Sequence, residues 1–536
     1  MTLKSNDVSM RDLIPSSRRS DRVMTFALAL ILVTASVALV IGIGSDDGYA
    51  EAGDTFTVAN GDGIDIEYMI KADGSTVQVG TSNVRDVAVD PSVVSVNIPG
   101  TVQYNGVTYK VVELGSYAFY GCSSLTSITI PDGLTVIGFN TFEGCTSLKS
   151  VDIPDSVTSI CGSAFYDCSS LKSVDMSESV KSIGASAFRG CTSLESVAIP
   201  DSVATIGASA FEECSSLTSV AIPSSVTDLY QEAFRGCKSL KSVEISDGLK
   251  YISSSVFVGC TSLESIVMPS SVTKIYDSAF AGCESLESIV IPSGVKEIGN
   301  YAFSRCTSLG TVAIPSSVTV IGYGPFDYCT SLTRIDVDSG NANYVSKDGV
   351  LFDKEMTTLI QFPASRGGAY AIPSGVTTIG ANAFSGCKSL ETVTIPDGMT
   401  IIGMYAFEDC VSLTSVTIPS TVTSISPSAF NGVCNGNSAA AGATVGHVFD
   451  NEYDAECNNG CGYIRDVPGQ PGGDDPGVTP GGDDDTPDVP GGDDDTPDAE
   501  PEGEGSSNST LWLAAIIGVI VVIAAILLIV KSRREI

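Results

Sequence analysis

Cysteine and histidine residues near the end of the chain are the one group whose types could together bind a metal ion. Thiolate and imidazole groups are ligands of tetrahedral zinc sites, and four of them complete such a site. For residues 433–465 the sequence predicts a disulfide-tied or purely structural C-terminal cap, with a structural zinc site as the alternative. We expect no other cofactor. The four residues are Cys434, His447, Cys457 and Cys461.

Catalytic groups are scarce in the rest of the chain. His447 is its only histidine, so histidine-based acid–base or nucleophilic catalysis is excluded elsewhere. Glu264 and Glu287 occupy one position of adjacent repeats and resemble a glycosidase carboxylate pair. Charges at a recurring strand position more often form a solvated face. We therefore predict no catalytic residue, and the chain is not expected to be an enzyme.

The charge balance excludes nucleic acid as a partner. The chain has 63 acidic and 28 basic residues, a formal net charge of −35. Cationic side chains supply most of the affinity of proteins for phosphate backbones. This acidity instead indicates that the negative charge keeps the protein soluble.

A phenylalanine recurs at intervals of 23 residues along most of the chain. Apolar residues at fixed offsets with a period of 20–29 residues are typical of a leucine-rich repeat solenoid, in which one core extends along the stack. We predict a single strand-rich, α/β-type repeat solenoid at residues 114–432. The recurring residues are Phe119, Phe142, Phe165, Phe188, Phe211, Phe234, Phe257, Phe280, Phe303 and Phe326 and, after an insertion, Phe384, Phe407 and Phe430.

Each repeat contains one predicted strand and a return segment. Val151 and Ile153 are two residues apart and share the inward face, so Asp152 faces outward. Pro154 ends the strand, and the return begins as a short helical or irregular segment at Phe165. Stacked repeats place these strands in a parallel β-sheet.

Twelve of the sixteen cysteines recur at one repeat position, which indicates packing and not a disulfide framework. Free cysteine behaves as a small buried apolar residue, and the strand spacing is wider than a disulfide prefers. A bridged or metal-binding ladder is the alternative. The twelve are Cys122, Cys145, Cys168, Cys191, Cys214, Cys237, Cys260, Cys283, Cys306, Cys329, Cys387 and Cys410.

The outward strand position is the predicted binding surface. It is mainly apolar in the middle repeats, and exposed apolar surface can mark a partner site. Small residues that merely suit a sheet are the alternative. The candidate residues are Ala198, Ala221, Glu244, Val267, Val290 and Ala313, together with Tyr230, Tyr251 and Tyr276 in the same repeats.

Both ends of the chain carry apolar segments that predict membrane attachment. Residues 23–43 follow a basic segment, 1–22, and form a transmembrane anchor or a signal segment. Residues 511–530 form a predicted transmembrane helix before a basic tail, 531–536. Because positive residues stay on the cytoplasmic side, we expect the chain between these segments to be extracellular.

Two further segments connect the repeats to these ends. Residues 53–113 alternate apolar and polar side chains around a hairpin signal at Asn105-Gly106 and are predicted as an N-terminal β cap. Residues 466–510 are acidic and rich in proline and glycine, which predicts a disordered stalk.

The repeat unit AFxGCxSLxSVxIPxSVxxIG resembles the BspA-like leucine-rich repeat of microbial surface proteins from about Gly115 to Gly432. Residues 336–370 resemble the enlarged repeat of this family, with an added strand pair at Val350-Leu351 and Leu359-Ile360. The run GHVFDNEYDAECNNGC resembles a cysteine–histidine tail module of such proteins.

The resemblance implies a right-handed superhelix with a parallel β-sheet on a protein of the cell surface. The two apolar segments described above would flank this superhelix and anchor it in the membrane. The resemblance also implies adhesin-like binding of an extracellular protein or another cell-surface macromolecule. A structural cell-envelope component that self-associates is the alternative.

Overall fold

The computed structural model describes residues 50–83 and 87–433, and these form a stack of β-strands joined by turns. This part of the chain contains no helix, so the α/β-type class was wrong, and of the two forms predicted for the return the irregular one is found. Every return except the last passes through a residue with a left-handed backbone, such as Asn140, Ser163 and Ser186, all with φ of 55°. A right-handed helix cannot continue through that conformation.

Six strands precede the repeats. β1–β2–β3 form an antiparallel group, and β3 pairs with β6 in parallel. β5 and β6 pair antiparallel with Tyr104 opposite Val107, which confirms the hairpin at Asn105-Gly106. The strands are β1 (Thr55–Ala59), β2 (Asp65–Ile70), β3 (Thr76–Val79), β4 (Ser95–Asn97), β5 (Thr101–Tyr104) and β6 (Val107–Leu114).

The first ten repeats contribute first strands of two to four residues and second strands of two residues, except that the repeat of Val290 has no first strand. In chain order these are β7 (Ser127–Thr129), β8 (Val136–Ile137), β9 (Ser150–Ile153), β10 (Ser159–Ile160), β11 (Ser173–Met176), β12 (Ser182–Ile183), β13 (Ser196–Val197), β14 (Thr205–Ile206), β15 (Ser219–Ile222), β16 (Asp228–Leu229), β17 (Ser242–Ile245), β18 (Tyr251–Ile252), β19 (Ser265–Val267), β20 (Lys274–Ile275), β21 (Glu297–Ile298), β22 (Thr311–Ile314), β23 (Val320–Ile321) and β24 (Arg334–Val337).

Neighbouring repeats pair in parallel and in register. Val151 lies opposite Val174, and Ile160 lies opposite Ile183. Along β9, Val151 and Ile153 are buried and Asp152 is exposed, and the strand ends directly before Pro154. The predicted directions of these side chains and the parallel pairing are confirmed.

The insertion and the last repeats complete the described chain. β26 and β27 pair antiparallel, which confirms the strand pair predicted for the enlarged repeat. The strands are β25 (Tyr344–Lys347), β26 (Val350–Asp353), β27 (Thr358–Gln361), β28 (Gly368–Ala371), β29 (Thr378–Ile379), β30 (Leu390–Thr394), β31 (Ile401–Ile402), β32 (Ser415–Thr417) and β33 (Ser424–Ile425).

Two ladders of side chains fill the core. The recurring phenylalanine rings are fully buried, and consecutive rings stack with centroids 4.8 to 5.8 Å apart. This spacing suits offset aromatic stacking. The twelve recurring cysteines are free and buried, as predicted. In ten of them the thiol donates a hydrogen bond of 3.1 to 3.3 Å to the carbonyl of a phenylalanine 26 residues earlier.

The membrane segments predicted at 23–43 and 511–530 lie outside the described residues. Between residues 50 and 433, the structure contains no helix of the length and apolar character that a membrane span requires.

Candidate binding surface

The predicted zinc ligands Cys434, His447, Cys457 and Cys461 lie outside the described residues. Across the residues that the structure does describe, no three histidine, cysteine, aspartate or glutamate side chains are grouped so as to hold a metal ion. The zinc site therefore stays a prediction.

The six outward candidates are all exposed, and they form a surface of alanine and valine side chains with one carboxylate, that of Glu244: Ala198, Ala221, Glu244, Val267, Val290 and Ala313. Val267 is 69% exposed and Val290 is 79% exposed. These two valines occupy the same position in neighbouring repeats, so they form the most apolar part of this surface.

The first strands do not form one continuous sheet. Their pairing groups are β4–β7, β9–β11–β13, β15–β17–β19, β22–β24 and β28–β30–β32. Ala198 follows the end of β13, and Val290 lies outside any strand. We expected both on strands, and that was wrong. The backbone around Val290 does not complete a strand ladder, although Ile289 and Ile291 stay buried on either side and keep Val290 facing outward.

The three tyrosines lie on a different part of the repeat from the valines. Tyr230 and Tyr276 occupy the corner directly after a second strand, and Tyr251 faces outward from β18. All three line one cavity, and none of the six first-strand candidates does. The structure therefore divides the predicted surface into two separate regions.

The corner position explains why a cavity forms here. Most repeats have glycine at this corner, and a Cβ atom on Gly207 would lie 2.5 Å from the backbone nitrogen of Ala185. At Gly322 the same atom would lie 2.5 Å from the nitrogen of Asn300. Glycine thus permits the closest stacking of repeats, because a side chain there has no room.

Three successive repeats lack this glycine and have Tyr230, Ser253 and Tyr276 instead. The ladder of second strands is interrupted between β16 and β18, where Ser253 stacks on Tyr230. In regular repeats the corner amide donates to a carbonyl 24 residues earlier, as Gly207 does to Ile183. Here the hydroxyl of Ser253 donates to the carbonyl of Leu229. The carbonyl stays satisfied while the two strands separate.

The interruption leaves an open cavity of about 280 Å³. Leu229 and Leu249 lie at its buried side, with 4% and 2% of their surface exposed. The repeat pattern alone does not indicate the polar residues that line this cavity. The absence of the corner glycine from three consecutive repeats is the feature of the sequence that marks their position. These residues are Thr227, Asp228, Gln231, Ser253 and Ser254.

Aromatic geometry and paired charges define the rim of this cavity. The rings of Tyr251 and Tyr276 meet edge to face at 73°, with centroids 5.9 Å apart. The ammonium group of Lys274 lies 4.2 Å from the ring centroid of Tyr276 and 2.8 Å from a carboxylate oxygen of Glu297. The hydrogen bond from Lys274 to Glu297 raises the pKa of the ammonium group, so it remains charged at neutral pH.

Comparisons with known proteins agree with this architecture. A solved structure of a leucine-rich repeat protein from Bacteroides ovatus is 30% identical, covers 67% of this chain and 88% of its own, and has a TM-score of 0.54. A leucine rich cell surface protein from Faecalibacterium prausnitzii is 26% identical over 70% of this chain and 86% of its own, with a TM-score of 0.39. No curated protein matches the chain.

A family model settles the classification of the repeats. The model of the BspA type leucine rich repeat region matches residues 112–241, 228–348 and 368–451, more than half of the chain. The matched residues include the phenylalanine and cysteine ladders and the in-register parallel strands described above. The chain therefore belongs to the BspA-type leucine-rich repeat family.

Proposed function

We propose that this chain is a membrane-anchored cell-surface protein that binds macromolecular partners in an adhesin-like manner and has no enzymatic activity. One observation carries the proposal. Val267 and Val290 project from neighbouring repeats with most of their side-chain surface in solvent. Exposed apolar surface that recurs at one position of a stacked array is typical of a site for a protein partner.

The proposed location depends on the two apolar segments of the sequence. Residues 23–43 and 511–530 would anchor the chain, and the acidic residues 466–510 would extend the repeats away from the membrane. The leucine rich cell surface protein of Faecalibacterium prausnitzii is similar in sequence and supports this assignment. Protease treatment of intact cells that express the full chain tests it: cleavage within the repeats is expected, and full protection would contradict an extracellular location.

Adhesion of the purified full chain tests the binding function. Beads coated with the chain should attach to a panel of immobilised extracellular matrix proteins or to neighbouring microbial cells. Light scattering of the free chain measures self-association in parallel. Bead attachment with a monomeric chain supports the proposal. Self-association without attachment would instead show that the chain is a structural envelope component.

For residues 433–465 we propose a disulfide-tied or purely structural cap, with a structural zinc site as the alternative. Elemental analysis of the purified chain distinguishes them: the cap predicts no bound zinc, whereas a zinc site would give about one zinc ion per chain, which Cys457→Ser would abolish. Thiol titration under denaturing, non-reducing conditions measures disulfide formation. A metal-free chain with oxidised Cys434, Cys457 or Cys461 would contradict the zinc site.

A further inference from the structure

The cavity beside Tyr230 is a specific feature of three repeats. At most other corners a glycine allows close contact between successive repeats, as Gly299 does against the backbone of Asp277. At β16 and β18 this contact is lost, and side chains of three repeats surround the space that remains. A cavity therefore forms where the pairing of the second strands is interrupted.

The size of the cavity limits its ligand to about one ring. Sites for small molecules usually enclose ~300–1,000 Å³. This cavity encloses about 280 Å³ and is open to solvent. It can take one ring-sized group while the rest of a longer ligand extends into water.

The walls offer both apolar and polar contacts to such a ring. Tyr230 and Tyr251 are about half exposed and present aromatic surface, which packs against apolar C–H faces. Asp228 supplies a hydrogen-bond acceptor, and Gln231 and Ser254 supply both donors and acceptors. A ring with apolar faces and several hydroxyl groups at its edge matches this combination.

The charges around the cavity favour an uncharged ligand. The net charge of −35 repels anions. A cation would approach the ammonium group of Lys274, which covers one side of the Tyr276 ring. The carboxylate of Asp228 already accepts a hydrogen bond of 2.8 Å from the hydroxyl of Thr227.

We propose that the cavity binds one neutral hexose ring at the end of a surface glycan. The inference rests on the proposed function, since it names the chemistry of one macromolecular partner. The aromatic walls take the C–H face of the sugar, and Asp228, Gln231 and Ser254 bind its hydroxyl groups. The remainder of the glycan leaves through the open side.

Titration of the purified full chain with glucose, galactose and mannose tests the proposal by NMR. At least one of these sugars should bind, and Tyr251→Ala and Gln231→Ala should each weaken binding about tenfold. Tyr323→Ala is the matched control, because Tyr323 is 64% exposed, lies outside the cavity and occupies the same repeat position as Gln231. Circular dichroism checks the fold of each variant. Absence of binding by all three sugars, or equal affinity of Tyr251→Ala and the wild type, would overturn the proposal.

Oligosaccharides that end in the bound sugar separate a glycan terminus from a free sugar. They should bind at least as tightly as the monosaccharide. Exclusion of oligosaccharides would refute the glycan as the natural ligand.

Cells treated with periodate, which cleaves vicinal diols of glycans, distinguish this proposal from the broader function. Beads coated with the chain should attach to untreated cells and lose attachment after treatment. Undiminished attachment would refute the glycan proposal and leave the adhesive function intact. Sugar binding without attachment to any cell or matrix protein would refute the adhesive function instead.

Discussion

The phenol of Tyr328 donates a hydrogen bond of 2.7 Å to Oδ2 of Asp409, although the two residues are 81 positions apart. Tyr301 and Asn382 are also hydrogen-bonded across 81 positions. The returns before and after the enlarged repeat therefore contact each other directly, and the insertion leaves the stack on its other side. Asp327 lies in this junction with 5% of its surface exposed.

Protonation of Asp327 should stabilise this junction. Desolvation by burial, with a smaller contribution from Glu408, raises the pKa of Asp327 to about 6 from its ordinary value of 3.8. Because the folded-state pKa is the higher one, stability is greatest below about pH 4 and falls as the pH rises through 6. The ionisation of Asp327 alone should lower the free energy of unfolding by about 3 kcal/mol over this pH range.

Asp327→Asn should therefore be more stable than the wild type at pH 7. The free energy of unfolding of this variant should also differ much less between pH 4 and pH 7 than that of the wild type does. Urea denaturation at the two pH values measures this. The matched control is Asp152→Asn, at an exposed strand position, which should keep the wild-type difference. If the free energy of unfolding of Asp327→Asn changed between pH 4 and pH 7 as much as that of the wild type, the proposed role of Asp327 would be contradicted.

The phenylalanine ladder should dominate the stability of the repeats. Phe211 is fully buried and stacks on Phe188 and Phe234 at 5.3 Å. Phe211→Ala should lower the free energy of unfolding by about 3–5 kcal/mol, because it removes apolar contacts and leaves a cavity. Phe139→Ala changes a ring that is 57% exposed and should cost less than about 1 kcal/mol. An equal decrease in the free energy of unfolding of the two variants would contradict the stabilising role of the phenylalanine ladder.

The recurring cysteines should be unreactive in the folded chain. Burial raises the pKa of Cys122 to about 11 and that of Cys260 to about 12, so neither forms the reactive thiolate at pH 8. Of the cysteines between residues 50 and 433, half-buried Cys161 should react first with iodoacetamide. Peptide mapping measures the modification, and the same reaction in urea should label every cysteine of this part of the chain. Modification of Cys260 as fast as that of Cys161 in the folded chain would refute this prediction.

The corner glycines should be required for close stacking. Gly207→Ala places a Cβ atom 2.5 Å from the backbone of Ala185 and should lower the free energy of unfolding by about 1–3 kcal/mol. Gly61→Ala is the control, since a Cβ atom there has no neighbour within 4 Å. Its free energy of unfolding should change by less than about 0.5 kcal/mol. If both substitutions had the same effect, close stacking would not explain the glycines.

The sequence predicted those features that repeat along the chain. The spacing of Phe119 and its counterparts located the core, and the alternation around Asp152 gave the directions of strand side chains. The returns were less predictable, because Asn140 and Ser163 adopt a left-handed backbone that their residue types do not require. The breaks in pairing also depend on contacts between repeats, which a consensus taken from single repeats does not contain.

The binding surface could be predicted only in part for the same reason. Val267 and Tyr251 belong to adjacent stretches of sequence, yet they lie on the first and second strands and face different regions. The cavity depends on Ser253 stacking over Tyr230, a relationship between residues 23 positions apart. Sequence patterns located the tyrosines but not the space between them.

The central claim, that the exposed valines of the middle repeats bind a partner, is tested most directly by the adhesion of a charged variant. Val267→Lys/Val290→Lys should reduce attachment of beads coated with the full chain at least tenfold, because two ammonium groups replace apolar contact surface. The matched control is Thr129→Lys/Thr394→Lys, which adds the same charge at the same exposed strand position near the two ends of the array. With circular dichroism unchanged in both variants, we expect loss of attachment in the first and wild-type attachment in the second. Wild-type attachment of the valine variant would contradict the claim.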